Sequence, residues 1–274
     1  MTLTTADVRG VGELAPSVLG PVRSANTVEE TLERILRMVK LGFVLPGERL
    51  PSERELARRL EISRPTIREA IRALAQTGYV EVRRGRRGGA YVVQWLPAAT
   101  PERAKAAVRA MGAQLEDVLD LRAVIEPGAA ALAAERLRPE DRPRLHSALE
   151  ALRDAVRVSF PAVARAQIDG PVRNLVAPSG EAGISYRFAD CRLHLMIGDL
   201  TYSQSVSAAV MDVQVRVADF VSHTPQIESV VRHSDEQHAE IVAAIEAGDP
   251  ERARVAMREH VAATTSYLRG FLGG

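Results

Sequence analysis

Pro51-Ser-Glu-Arg-Glu-Leu-Ala57, then Glu61-Ile-Ser-Arg-Pro-Thr-Ile-Arg-Glu-Ala-Ile-Arg72, then Tyr79-Val-Glu-Val82 and Ala90-Tyr-Val-Val93 around Arg83-Arg-Gly-Arg-Arg-Gly-Gly89: these runs decide the fold. Ser52 is placed to accept from a first-turn backbone N–H, and Glu55 three residues on completes a capping-box pattern. Leu56, Ala57 and Leu60 give the short helix after Ser52 an apolar side. Glu61-Ile62-Ser63 is long enough only for a turn. Ser63 caps the next helix, and Pro65 is tolerated because it falls in the first turn. Ile67, Ala70, Ile71 and Leu74 recur at helical spacing and face a core. Gly78 ends this helix, and two short strands come next, Tyr79–Val82 and Ala90–Val93. The order of parts is that of a winged helix-turn-helix.

The flanking sequence extends the same module. Thr27 and Glu30 form a second capping pattern, and Val28, Leu32, Ile35 and Val39 line one stripe of an earlier helix. Gly42 and Pro46-Gly47 break the chain before the quoted stretch. Arg64, Thr66 and Arg68 lie near the start of the second helix, off its apolar stripe. In such a module those positions reach base edges in the major groove of duplex DNA. Four arginines on the Gly-hinged turn suit a phosphate backbone or a narrow minor groove.

Composition sets the outer limits. The chain has 274 residues, enough for two domains. Aromatic residues are only 4%, so the cores must be built from Ala, Val, Leu and Ile, and at helical spacing these predict an all-helical second domain. The formal net charge is +1, so the arginines of the first module are sorted rather than in excess. No apolar run reaches membrane-spanning length, no signal-peptide pattern opens the chain, and the single Cys191 excludes an intrachain disulfide. A cytoplasmic protein with no membrane partner is expected.

The predicted organisation is a flexible tail over 1–25, the winged helix-turn-helix over 26–94, a linker with a short helix capped by Thr100 over 95–113, and an antiparallel all-α bundle over 114–274. Within the bundle, helices are expected over Leu115–Leu137, over Pro139–Val158 with its start near Asp141, from Ser185 to about Leu200, over Gln204–Ser222, over Ser234–Ala247 and from Pro250 to about Leu268. Residues 159–184, with six prolines and glycines, read as a long loop or a broken helix.

Asp190 and His194 are four apart and share a helix face. His238 lies near the expected start of a later helix, and His260 lies on the last. One carboxylate and three imidazoles suit a divalent first-row ion. His146, His223 and His233 are rivals that spacing does not exclude, whereas Cys191 points about 100° away from Asp190. Arg122 falls on the apolar stripe of Val118, Ile125, Ala129 and Leu132, where an unpaired guanidinium is costly. It either pairs with an acid such as Glu126 or presents a fork to a carboxylate ligand.

The run from Leu45-Pro-Gly-Glu-Arg-Leu-Pro-Ser-Glu-Arg through Ser63-Arg-Pro-Thr-Ile-Arg-Glu-Ala to Gly78 resembles GntR-family transcription regulators. The resemblance implies that Arg54, Arg64, Thr66 and Arg68 contact operator DNA and that the wing tip falls at Arg84 and Gly85. The later segments, Leu121-Arg-Ala-Val-Ile-Glu-Pro-Gly, Asp190-x-x-x-His194, His238-x-x-Ile and Met257-x-x-His260, resemble the FadR-type subfamily with a helical ligand-sensing (FCD) domain. That likeness implies a metal held by Asp190, His194, His238 and His260, zinc first, with nickel or manganese as alternatives. It also implies that Arg122 faces an effector. The expected function is a metabolite-responsive regulator, a homodimeric repressor whose operator affinity is changed by a small carboxylate, and not an enzyme. An acyl-CoA or other large ligand sensed without metal is the alternative within this class. A metal-dependent hydrolase tethered to a DNA-binding module is the alternative outside it.

Overall fold

The computed structural model describes residues 27–85, 88–93, 112–160, 181–221, 224 and 226–273. The chain divides into two compact units, Met1–Pro97 and Ala98–Gly274. The expected tail over 1–25 and the short helix capped by Thr100 lie outside the described residues, as do Arg86, Arg87 and His223.

The first unit contains helices α1 (Thr27–Lys40), α2 (Glu53–Leu60) and α3 (Arg64–Gln76), then strands β1 (Val80–Arg83) and β2 (Gly89–Val92). Ser52 Oγ accepts from Glu55 N at 3.2 Å, so the first cap forms as its sequence demands. The Glu55 carboxylate reaches forward to Arg58 and Arg59, at 2.8 and 2.5 Å. The tight turn after α2 places Glu61 at φ 55, a left-handed conformation glycine would adopt more easily. Ile35, Met38, Leu56, Leu60, Ile67 and Leu74 close the core of this unit. The strands pair antiparallel from Val80↔Val92 to Arg83↔Gly89, the register the expected strands would have, but with both strands bounded one residue nearer the wing tip. Tyr79 N donates to Leu74 O at 3.0 Å and closes the end of α3, with Gly78 at φ 82. Tyr79 thus serves both elements: its N–H closes the helix end, and its carbonyl accepts from Val93 N at 3.1 Å beyond the end of the ladder.

The second unit is all helix among the described residues: α4 (Gly112–Arg136), a 3₁₀ turn (Pro139–Asp141), α5 (Arg142–Ser159), α6 (Glu181–Leu200), α7 (Gln204–Val221), α8 (Glu228–Glu246) and α9 (Pro250–Gly273). Short turns join α6 to α7 and α8 to α9, so each pair must run antiparallel. Helix α4 packs against α6, α7, α8 and α9, and α5 packs against α6 and α8. Alanines let this happen: Ala129, Ala130, Ala133 and Ala134 of α4 are buried and admit close neighbours. Gly198 serves the same end, because a Cβ there would meet Val210 Cβ at 3.1 Å across the α6–α7 contact. Pro127 sits inside α4 without ending it. Its missing N–H frees the carbonyl of Ala123, which is on the exposed side.

Four helix boundaries differ from their expected positions, the first at α4, which begins at Gly112, three residues before Leu115. Helix α6 begins at Glu181, inside the segment that reads as irregular, while 161–180 lie outside the described residues. Helix α9 runs on to Gly273. Helix α8 begins at Glu228, six residues before Ser234. Ser234 looks like a cap in sequence, but it lies within the helix and its hydroxyl faces Tyr186 and His238.

Leu145 of α5 is fully buried in the core of the second unit. Leu145→Ala is expected to destabilise that unit by about 2–5 kcal/mol, read as a shifted urea midpoint by far-UV circular dichroism.

Candidate metal centre and nucleic-acid interface

On the first unit, the residues singled out for DNA gather around the start of α3 and the wing. Arg54, Arg64, Arg68, Arg84 and Gly85 are exposed, and Thr66 is half-buried. Ser63 Oγ accepts from Thr66 N at 3.3 Å and lies 2.7 Å from Thr66 Oγ1, so the threonine hydroxyl is engaged in the cap. Gly85 adopts φ 104, a turn conformation that a side chain would strain, and its carbonyl accepts from Gly88 N at 2.8 Å. Two arginines turn out to be committed within the fold. Arg83 lies over the Tyr91 ring and pairs with Glu81 at 3.1 Å. Arg68 makes a two-pronged contact with Glu53, at 3.2 and 2.8 Å, that ties α3 to α2. This bond and the nearby positive charges hold the Glu53 carboxyl below its ordinary range. The role of Glu53 has no signal in sequence, because its partner is fifteen residues away.

In the second unit Asp190 and His194 from α6, His238 from α8 and His260 from α9 converge. Each offers one ligand atom, and these atoms all lie within 4.8 Å of one another. The three histidines are buried and Asp190 is half-buried. The rivals are elsewhere: His146 and His233 are exposed. His238 sits in the middle of α8, not near its start, because that helix begins six residues earlier than expected.

The inward nitrogens of His194 and His238 are both Nε2, 3.3 Å apart, and His238 Nε2 lies 3.3 Å from Asp190 Oδ1. The opposite nitrogens face supporting groups. His238 Nδ1 is 3.5 Å from Ser234 Oγ, which also accepts from the Tyr186 hydroxyl at 3.2 Å. His260 Nδ1 is 3.3 Å from Gln237 Oε1. His194 Nδ1 lies 3.2 Å from Glu126 Oε2, though the contact is not aligned as a hydrogen bond. Such outer partners fix the tautomer and ring orientation of a metal-binding imidazole. Burial lowers His238 to about 4 and drives His260 well below the ordinary histidine range. Imidazoles held neutral in this way have the lone pair that a cation requires. The buried cluster can therefore hold a metal ion.

Arg122 borders this cluster. Its Nε donates to Glu126 Oε2 at 2.9 Å, and its Nη2 lies 3.5 Å from His260 Nε2. Its Nη1 is buried without a hydrogen-bond partner among the described residues. Gln214 of α7 donates to the other oxygen, Glu126 Oε1, at 2.5 Å. Burial would raise the Glu126 carboxyl, but Arg122 and then His194 outweigh it and hold the group below its ordinary range. Pairing with an acid and presenting a fork to a ligand thus both have a counterpart at Arg122: Glu126 neutralises it, and one terminal nitrogen is left over. Gln214, Ser234 and Gln237 carry no functional signal in sequence, since a neutral polar residue inside a helix says nothing about its partner.

A winged helix-turn-helix joined to a helical unit with a buried cluster of potential metal ligands defines a class of DNA-binding regulators. Comparison with known proteins makes the family definite. Residues 27–92 match the family described as bacterial regulatory proteins, gntR family, and residues 117–263 match the FCD domain. The chain belongs to the GntR family of DNA-binding transcription regulators, with an FCD C-terminal domain; this is a family of regulators and not of enzymes. It is 26% identical to the HTH-type transcriptional regulator LutR of Bacillus subtilis over 239 residues, 85% of this chain and 97% of LutR. It is 38% identical to the HTH-type transcriptional regulator Mce2R of Mycobacterium tuberculosis over 143 residues, 49% of this chain and 57% of that protein. The solved structure of E. coli McbR/YncC shares the fold, with a TM-score of 0.51 at 19% identity, over 89% of this chain and 97% of that one. No helix among the described residues is long and apolar enough to cross a membrane.

The Glu53–Arg68 pair generates a prediction. Glu53→Gln is expected to change stability by less than about 1 kcal/mol, because the pair is exposed. It is also expected to tighten binding to random duplex DNA at low salt, since Arg68 keeps its charge and loses its acid. Fluorescence anisotropy across a salt series reads this.

Proposed function

We propose that this regulator is a homodimeric repressor working in the cytoplasm, whose helical unit binds a divalent ion and a small carboxylate effector that lowers operator affinity. The ion is held by Asp190, His194, His238 and His260. Zinc is the first candidate, and nickel and manganese suit the same mixture of imidazole and carboxylate donors. The effector carboxylate binds the ion and the terminal nitrogens of Arg122. When bound, the ion supplies a fixed positive charge for the anion; it performs no catalysis.

One observation supports this above the others. Four potential ligand atoms, each within 4.8 Å of the rest, sit beside a buried arginine with a terminal nitrogen lacking any partner. A regulator sensing a larger ligand without metal would have no use for that convergence. A homodimer suits the recognition helix, which is too short to read enough bases alone, so two copies are needed on a palindromic operator. Arg54, Arg64, Thr66, Arg68, Arg84 and Gly85 form the DNA-facing set, with Arg68 shared between Glu53 and the duplex. The effector must bind the DNA-competent and DNA-released conformations unequally, or it would regulate nothing.

Two experiments test this. Arg64→Ala is expected to weaken binding to a selected operator by about 1–3 kcal/mol and to relax base preference, measured by titrating matched and mismatched duplexes. Undiminished affinity and preference would remove Arg64 from the interface. For the ion, the freshly purified chain is expected to contain about one equivalent of metal by elemental analysis, and His238→Ala substantially less. Metal-free wild type that also fails to take up zinc, nickel or manganese would overturn the ion site. Because one similar E. coli protein is named a putative L-lactate dehydrogenase operon regulatory protein, L-lactate is a sensible first effector to titrate.

A further inference from the structure

At the proposed ion and carboxylate site, whose assignment this inference presupposes, Glu126 Oε2 lies between two groups with different tasks. Arg122 Nε donates to it at 2.9 Å, and His194 Nδ1 is 3.2 Å away. Arg122, Glu126 and His194 are each about 1% exposed, so water does not stand in for any of these contacts. Gln214 occupies the other carboxylate oxygen at 2.5 Å. One side chain on α4 thus orients a candidate ligand on α6 and the candidate effector arginine, and is itself held from α7.

Using Nε for Glu126 turns the terminal end of Arg122 toward the cluster. There Nη2 lies 3.5 Å from His260 Nε2, while Nη1 has no hydrogen-bond partner among the described residues. A neutral imidazole nitrogen has a single lone pair. His260 Nδ1 faces Gln237, so Nε2 is the nitrogen available to an ion. A cation that takes this lone pair removes the acceptor of Nη2. Both terminal nitrogens of a buried guanidinium are then unsatisfied, which is unfavourable. A carboxylate placed between the ion and Arg122 supplies acceptors to both.

We propose that Glu126 is a positioning residue that couples ion to anion: by holding His194 and Arg122 through one oxygen, it makes metal and carboxylate bind cooperatively. The coupling is reciprocal, so each ligand tightens the other by the same factor.

The test uses the full-length protein, zinc and sodium acetate. Zinc affinity is measured by competition with a chelating dye, with and without saturating acetate, at constant ionic strength. Acetate affinity is measured by calorimetry with and without zinc. In the wild type, acetate is expected to tighten zinc about tenfold, and zinc to tighten acetate equally. Glu126→Gln sets an amide N–H₂ against Arg122 or His194, or gives up Gln214. It is expected to weaken zinc on the order of 10–100-fold and to bring the coupling factor near one. Gln214→Leu removes only the Oε1 partner; it is expected to lower the melting temperature and keep the factor. A purely structural Glu126 would instead lower the melting temperature and leave the factor intact in the folded variant, which overturns the proposal. Should Glu126→Gln not fold, Arg122→Lys decides. Lysine lacks the planar fork, so the factor is expected to fall toward one, and an unchanged factor counts against the coupling. If the wild type binds zinc with no response to acetate, the coupling is wrong while the ion site stands. If it binds no zinc at all, the proposed function fails as well.

Discussion

The buried pair of Arg122 and Glu126 is the constraint around which the second unit is arranged. A guanidinium and a carboxylate at about 1% exposure lose their hydration, and their mutual attraction offsets this only with good geometry and further hydrogen bonds. Both conditions are visible on the acid. Glu126 takes Arg122 on one oxygen and Gln214 on the other. The arginine is less complete, with one terminal nitrogen lacking a hydrogen-bond partner among the described residues. A hydrophobic pair of similar volume would stabilise the helices equally well or better. Stability alone therefore does not account for the pair, whereas the proposed recognition of an anion would.

The same constraint explains how the cluster is presented. Helix α4 touches four of the other helices of its unit, so a charged group at its centre lies within reach of all of them. Ligand-type residues come from α6, α8 and α9, and no disulfide ties these helices together, since Cys191 is free. Their convergence depends on packing, and on outer partners that turn each ring. Glu126, Ser234 and Gln237 each face the Nδ1 of a different histidine. Burial keeps His238 and His260 neutral, which an enclosed histidine group needs if it is to avoid repelling itself.

How much of this the sequence discloses depends on the range of the interaction. The first unit is legible almost throughout, because its signals are local: a serine before each of α2 and α3, apolar residues at helical spacing, a glycine ending α3. The strand bounds lie one residue nearer the wing tip than the alternation suggests, where Tyr79 N also closes the end of α3, a bond that strand patterning does not reveal. In the second unit, Asp190 and His194 share a face by spacing alone, and Arg122 with Glu126 is visible as an i,i+4 pair. His238 and His260 are different. They stand 44 and 66 residues beyond His194, and only resemblance to known regulators joins them to it. Gln214, Ser234 and Gln237 are illegible for a further reason. Ser234 mimics a helix cap, and the two glutamines are ordinary helix residues until tertiary structure supplies their partners.

The place of Arg122 and Glu126 in the chain bears on regulation. They lie on α4, the first described helix after the wing, so the helix that would respond to the ligands also stands nearest in sequence to the DNA-binding module. An effector changes operator affinity only by its difference in binding free energy between two conformations. An anion that merely filled the cluster equally in both would have no effect, however tightly it bound. A buried arginine with an unmatched nitrogen provides a source for such a difference. Its unsatisfied donor disfavours any arrangement that keeps it enclosed without an acceptor, and an anion removes that penalty only where α4, α6 and α9 are packed closely enough to reach it. On the proposed function, ligand binding and close packing around α4 would therefore be linked, because the polar groups of Arg122 and Glu126 are themselves buried by the helices they join.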